Sequence, residues 1–118
     1  MGNQSIEPAI QVVTTTERRE DAEKIAGSLV EKRLAACVQI IGPVLSIYRW
    51  KENIERAEEW QCHIKTRAGL YDDVEAAIKA SHPYETPEIM ALPILQGSQE
   101  YLAWLHEQTA VRKSEKLA

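Results

Sequence analysis

Phenylalanine is absent from this chain, and its aromatic side chains are three Trp and four Tyr. Aromatic packing therefore falls to residues that each carry a polar handle needing a partner when buried. Long apolar runs are missing as well. Nothing approaches the ~18 residues of a membrane-spanning helix, so no membrane partner is expected. Basic clusters are missing too: the longest basic run is the pair Arg18–Arg19, and the net charge is −4. Phosphate recognition needs a concentrated basic surface, so nucleic acid is not an expected partner. Only two cysteines occur, Cys37 and Cys62, with no C-x-x-C, no H-x-x-x-H and no histidine-rich tract. A ready-made zinc or copper cage is therefore not spelled out. Met1 to Glu7 show neither the basic start nor the apolar stretch of a signal peptide. A cytoplasmic location and reduced thiols are the resulting expectations.

What is present fits one domain. The 118 residues are 44% apolar and 27% charged, an ordinary balance for a chain that buries a core. Residues 1–8 are polar, end in Pro8 and read as a loose leader; 9–110 read as the folded domain, and 111–118 as a polar tail. Ala9 to Thr16 are rich in β-branched types and predict a strand. Ala22, Ile25, Ala26, Leu29 and Val30 then follow the i, i+3, i+4, i+7, i+8 spacing of one helix face. Thr16 is a candidate N-cap, Glu17 and Glu20 suit the first turn, and Lys32 and Arg33 suit the last. Residues 35–50 predict a long second strand, bent or bulged at Gly42–Pro43 because Pro cannot donate to a ladder. A turn around Lys51, Glu52 and Asn53 leads into a third strand over about 54–67. There Trp60, Cys62 and Ile64 alternate with Gln61, His63 and Lys65, so one face meets core. Leu70, Val74, Ala77 and Ile78 mark a second helix that ends before His82–Pro83. Glu88 to Leu95 predict a fourth strand, which Pro93 confines to an edge. Ser98 is a candidate cap for a last helix holding Tyr101, Leu102, Trp104 and Leu105.

The order is β-α-β-β-α-β plus a C-terminal helix, an α/β chain of the α+β kind with the ferredoxin-like split pattern. Helices should cover one face of an antiparallel sheet. The long hairpin of the second and third strands, carrying Tyr48 and Trp50, outruns what so small a domain can cover. A two-stranded ribbon is marginal alone in water, so pairing with other copies is expected, with Tyr48 and Trp50 at that interface.

Several segments carry a resemblance: Thr14-Thr15 with the helix after it, Arg33-Leu34-Ala35-Ala36-Cys37-Val38, Ser46-Ile47-Tyr48-Arg49-Trp50, Glu59 with Ile64-Lys65-Thr66, His82-Pro83-Tyr84-Glu85-Thr86-Pro87-Glu88-Ile89, and Tyr101-Leu102-Ala103-Trp104-Leu105. In this order the chain resembles the CutA divalent-ion tolerance proteins over about 9 to 106. The resemblance implies a ferredoxin-like fold, a homotrimer with strands paired across subunits, and a role in tolerance to copper and other divalent metals. It also implies kinship in architecture with the PII signalling trimers, which bind small ligands between subunits. Two positions depart from the metal-binding relatives. Thr14 stands near the end of the first strand where some have Cys, and Ser81 precedes His82 where some have a second His. The hairpin turn has Glu52 and Asn53 where a Gly is frequent in the family.

His82 is the best metal candidate. Pro83 biases it to extended backbone, and Glu85 and Glu88 follow, a set able to hold a divalent ion such as copper weakly; the bland alternative is a structural cap between helix and strand. No firm cofactor is implied. Cys62 and His63 are adjacent in a strand and point to opposite faces, so they do not grip one ion. Cys37 reads as a small buried hydrophobe, and His106 as solvated. Glu59, Lys65, Tyr84 and Glu88 are candidates for a pocket between subunits; Glu59 and Lys65 could equally form a plain ion network. An acylphosphatase-like enzyme would need a Gly-rich anion loop after the first strand. The segment Thr14-Thr15-Thr16-Glu17-Arg18-Arg19 has no Gly and carries an acid. Non-catalytic binding is thus the leading reading. The alternatives are a PII-like sensor of a small anionic ligand and a protein-docking scaffold.

Overall fold

The computed structural model describes residues 7–110. Its order is β1 (Ala9–Thr16), α1 (Arg19–Glu31), β2 (Cys37–Trp50), β3 (Asn53–Arg67), a single 3-10 turn (Ala68–Leu70), α2 (Tyr71–Ser81), β4 (Ile89–Ile94) and α3 (Gln99–Gln108). The strands form one antiparallel sheet in the order β2-β3-β1-β4, the ferredoxin-like arrangement that the sequence predicts. β4 is an edge strand, which accommodates Pro93.

Alternation decides the two faces. Val12, Cys62 and Ile64 are fully buried and meet Ile25 and Leu29 of α1, with Val74 and Ile78 of α2. This is the core. Trp60 shares that face but is only partly buried at its margin, with the Arg19 guanidinium 5.6 Å from its ring centroid. The opposite face is partly covered by α3, whose Leu105 is fully buried. Farther along that face Ile41, Met90 and Leu92 are exposed.

The helix ends differ from the sequence expectation. Arg18, not Thr16, is the residue before α1, and it makes no side-chain cap. The Thr16 hydroxyl instead donates to the Arg18 carbonyl at 2.8 Å. Lys32 and Arg33 lie beyond the last turn. Arg33 has φ 62, with Leu34 N–H reaching back to Leu29 O at 2.9 Å and Arg33 N–H to Val30 O at 3.0 Å. That is the αL helix stop normally given to Gly. Arg stands here because its guanidinium donates to Glu107 O at 2.6 Å, tying the end of α1 to the end of α3. Ser98 caps α3 as expected, accepting from Tyr101 N–H at 3.2 Å.

Of the leader, Glu7 and Pro8 fall within the described residues, and they are tied down. Pro8 O accepts from Ala68 N–H at 2.8 Å, and a Glu7 carboxylate oxygen accepts from Gly69 N–H at 2.5 Å. His106 is not solvated either: its ring nitrogens lie 2.9 Å from Leu102 O and 2.8 Å from Glu7 O. The rest of the leader and the tail 111–118 lie outside the described residues.

Candidate functional site

The hairpin positions the site. β1 ends at Thr16, opposite Trp60, so beyond that register β2 and β3 continue with no third strand. They pair from Val44↔Glu59 out to Trp50↔Asn53, after a register shift between Ile41 and Val44. The Gly42–Pro43 bend makes this shift, and Gly42 is required there. A Cβ at that position would stand 2.8 Å from the Trp60 ring. The tip is a two-residue turn with Lys51 at φ 49 and Glu52 at φ 72, the geometry whose twist suits a hairpin. The left-handed positions thus fall on Lys51 and Glu52.

A cleft of about 760 Å³ opens between the root of this hairpin and the segment after α2. β2 contributes Tyr48 and Trp50, β3 Glu59 and β1 Thr15, and Tyr84 to Glu88 form the far wall. His82 builds that wall. Pro83 holds it extended (φ −79, ψ 135) past the end of α2. Its Nε2 lies 2.7 Å from Thr15 O, and its Nδ1 accepts from Tyr84 N–H at 3.1 Å. The neutral ring protonated on Nε2 satisfies both contacts. The ring also sits 4.7 Å from that of Tyr84.

Tyr84 O–H then donates to Glu59 Oε2 at 2.6 Å. Burial, and next this bond and the charge of Glu59, hold the phenol proton well above its ordinary range. Glu59 is 6% exposed, and its side chain has no other hydrogen bond or ion pair among the described residues. At the mouth, Lys51 Nζ lies 3.8 Å from Glu85 and 5.5 Å from the Trp50 ring centroid.

Three of the four residues expected in a pocket are therefore brought together: Glu59, Tyr84 and Glu88. Tyr48 and Trp50, expected at an interface, line the same cleft. Lys65 does not. It lies six residues along β3, roughly 20 Å away at the rise of a strand, and donates to Gln39 Oε1 at 2.5 Å. No Glu59–Lys65 ion pair forms in one chain. Thr15 stands in the Thr14-Thr15 segment of the resemblance but was not a site candidate; its role comes from its carbonyl, and no side-chain pattern signals that.

One chain is a poor fit for copper or zinc. Both ring nitrogens of His82 are engaged by backbone groups. Among the described residues no three His, Cys, Asp or Glu side chains gather as a metal would require. Cys37 and Cys62 are free thiols. Burial pushes the Cys62 thiol up to about 11, opposite to the thiolate a soft metal selects.

The sheet order and the overlong hairpin place the chain among ferredoxin-like split βαβ proteins. Comparison with known proteins narrows this. The model of the CutA1 divalent ion tolerance protein family matches residues 10–108, and the chain belongs to that family. The divalent-cation tolerance protein CutA of Thermus thermophilus is 45% identical over 98 residues, covering 83% of this chain and 95% of that protein. The rice protein named CutA 1, chloroplastic, is 39% identical over 86% of this chain, and the chain spans 58% of its length. The crystal structure of CutA1 from Oryza sativa superposes with a TM-score of 0.87 at 37% identity, covering 91% of this chain and 98% of that one. The structure described as the periplasmic divalent cation tolerance protein CutA from Archaeoglobus fulgidus gives 0.83 at 41% identity, covering 85% and 97%.

These relatives overturn the expectation of a cytoplasmic location, since one is named chloroplastic and another periplasmic. That expectation rests on a missing signal pattern, and a missing pattern carries no address of its own. Among the described residues no helix is long and apolar enough to cross a membrane.

Proposed function

We propose that the chain serves divalent-cation tolerance, copper included, as a non-catalytic homotrimer that acts by binding, with residues 9–110 as its working domain. Family membership supports the tolerance role. The observation that carries the assembly is the hairpin. Leu45, Ile47 and Ile54 stand on one face of the free ribbon and are 56%, 56% and 66% exposed. A ribbon with so much bare apolar surface is marginal alone, and a second copy is a natural cover for it. Ile41, Met90 and Leu92 form a separate exposed apolar patch on the opposite, open face of the sheet.

The absence of catalysis is supported by the state of the reactive groups. Cys62 is a buried protonated thiol, and the nitrogens of His82 are spent on backbone, so neither is poised as nucleophile or base. The acidic lining, Glu59 with Glu85 and Glu88, opposes the rival reading of an anionic ligand in this cleft. Calorimetric titration with copper(II) and zinc(II), beside His82→Ala, tests the metal arm. The expected result is weak binding with little change in the variant, which instead loses stability. Tight binding abolished by His82→Ala would make His82 a ligand and overturn its structural assignment.

A further inference from the structure

The cleft holds a negative charge that no group among the described residues balances. Tyr84 O–H fixes Oε2 of Glu59 at 2.6 Å. The other oxygen, Oε1, has no donor among the described residues and opens toward the cleft rather than being sealed in the fold. This carboxylate is 6% exposed with a neutral phenol as its hydrogen-bond partner, and a cation at the open oxygen would be a fitting counter-charge. The neighbours do not supply one. Glu17 adds negative field at Tyr84, Glu85 and Glu88 line the wall, and Lys51 is taken by Glu85 and Trp50 at the mouth.

The walls fit the same conclusion. Tyr48, Trp50 and Tyr84 line the space, and aromatic faces attract cations by their quadrupoles. A volume of about 760 Å³ is that of a small-molecule site. Among the described residues the three carboxylates do not gather closely enough to hold a bare divalent ion, and an anion would be repelled.

We propose that the cleft between the β2–β3 hairpin and the Tyr84–Glu88 segment is a receptor for a cationic nitrogen carried by a small organic molecule, an alkylammonium or guanidinium ion. Its N–H groups donate to Glu59 Oε1, and its alkyl carbons lie against the aromatic wall. The proposal rests on the reading of the chain as a binding protein, and not on its being a trimer.

Calorimetric titration of the full chain with agmatine, which carries an ammonium at one end and a guanidinium at the other, tests it. Inorganic phosphate and ATP serve as anionic controls, and light scattering gives the particle mass of each sample. Saturable agmatine binding is expected in the native protein. It should weaken by at least about tenfold in Glu59→Gln, because a charged partner of a buried hydrogen bond is removed. Tyr84→Phe should weaken it less, with the fold kept in both variants by circular dichroism. The anions should not bind. Absence of agmatine binding by folded protein, equal binding by Glu59→Gln, or preferential binding of ATP would each overturn the proposal. If agmatine fails to bind and Glu59→Gln falls apart into single chains, the cation is a Lys or Arg of a second copy, and the free ligand is refuted. Agmatine binding by a protein of single-chain mass would instead refute the assembly and leave the receptor standing.

Discussion

Cys62 shows how one side chain couples burial to pH. It is fully buried, and its Sγ lies 3.6 Å from Ala22 O. Burial raises its pKa from 9.0 to about 11, so the folded chain holds this proton after the unfolded chain has lost it. The contribution is whole below about pH 9 and drains away as the pH climbs through 11. Across that window the unfolding constant should rise by up to about tenfold per pH unit from this group alone. Urea unfolding of native protein and Cys62→Ser, at steps between those pH values, isolates it. The stability difference should shift steadily in favour of the serine variant as pH rises, and a constant difference would show that the thiol is not sealed. The alternation of Trp60, Cys62 and Ile64 made this burial legible in the sequence. The partial exposure of Trp60 was not, because α1 begins only at Arg19 and leaves that corner open.

At the scale of elements, the hairpin departs most from local preference. Lys51 and Glu52 both hold positive φ, where a Cβ is crowded by roughly 1–2 kcal/mol per residue and Asn-Gly is the usual choice. Lys51 has compensating contacts with Glu85 and Trp50, whereas Glu52 is exposed at the tip. Glu52→Gly should therefore raise stability by about 1 kcal/mol, read from thermal or urea unfolding. A loss of stability would mean that the glutamate makes a contact beyond one chain. Sequence spacing placed the turn but not its conformation, since φ at the tip is set by a two-residue loop closing Trp50 on Asn53. The elements themselves were legible because period-2 and period-3.6 patterns are clean from Ala9 to Leu105. The helix stop at Arg33 was not, because the tie to Glu107 spans 74 residues. The cleft was half legible for the same reason: Tyr84 and Glu88 share one motif, whereas Glu59 joins them only through the sheet, and Lys65 is carried away along β3.

At the scale of the molecule, the long axis is 52 Å against 28 and 25 Å for the others, a consequence of the ribbon that runs past the sheet. That shape exposes Leu45, Ile47 and Ile54 on one side and shelters Glu59 and Tyr84 at the root on the other. Assembly and ligand capture are thus assigned to different faces of one hairpin, and they can be separated by mutation. The measurement that bears most directly on the assembled, binding form is the particle mass in solution of native protein and Leu45→Asp, by light scattering with circular dichroism on the same samples. Native particles of three times the 13.4 kDa chain mass, with Leu45→Asp shifted to single folded chains, are the expected result. A native particle of single-chain mass that keeps its sheet signal would contradict the assembly and leave the ribbon stable on its own.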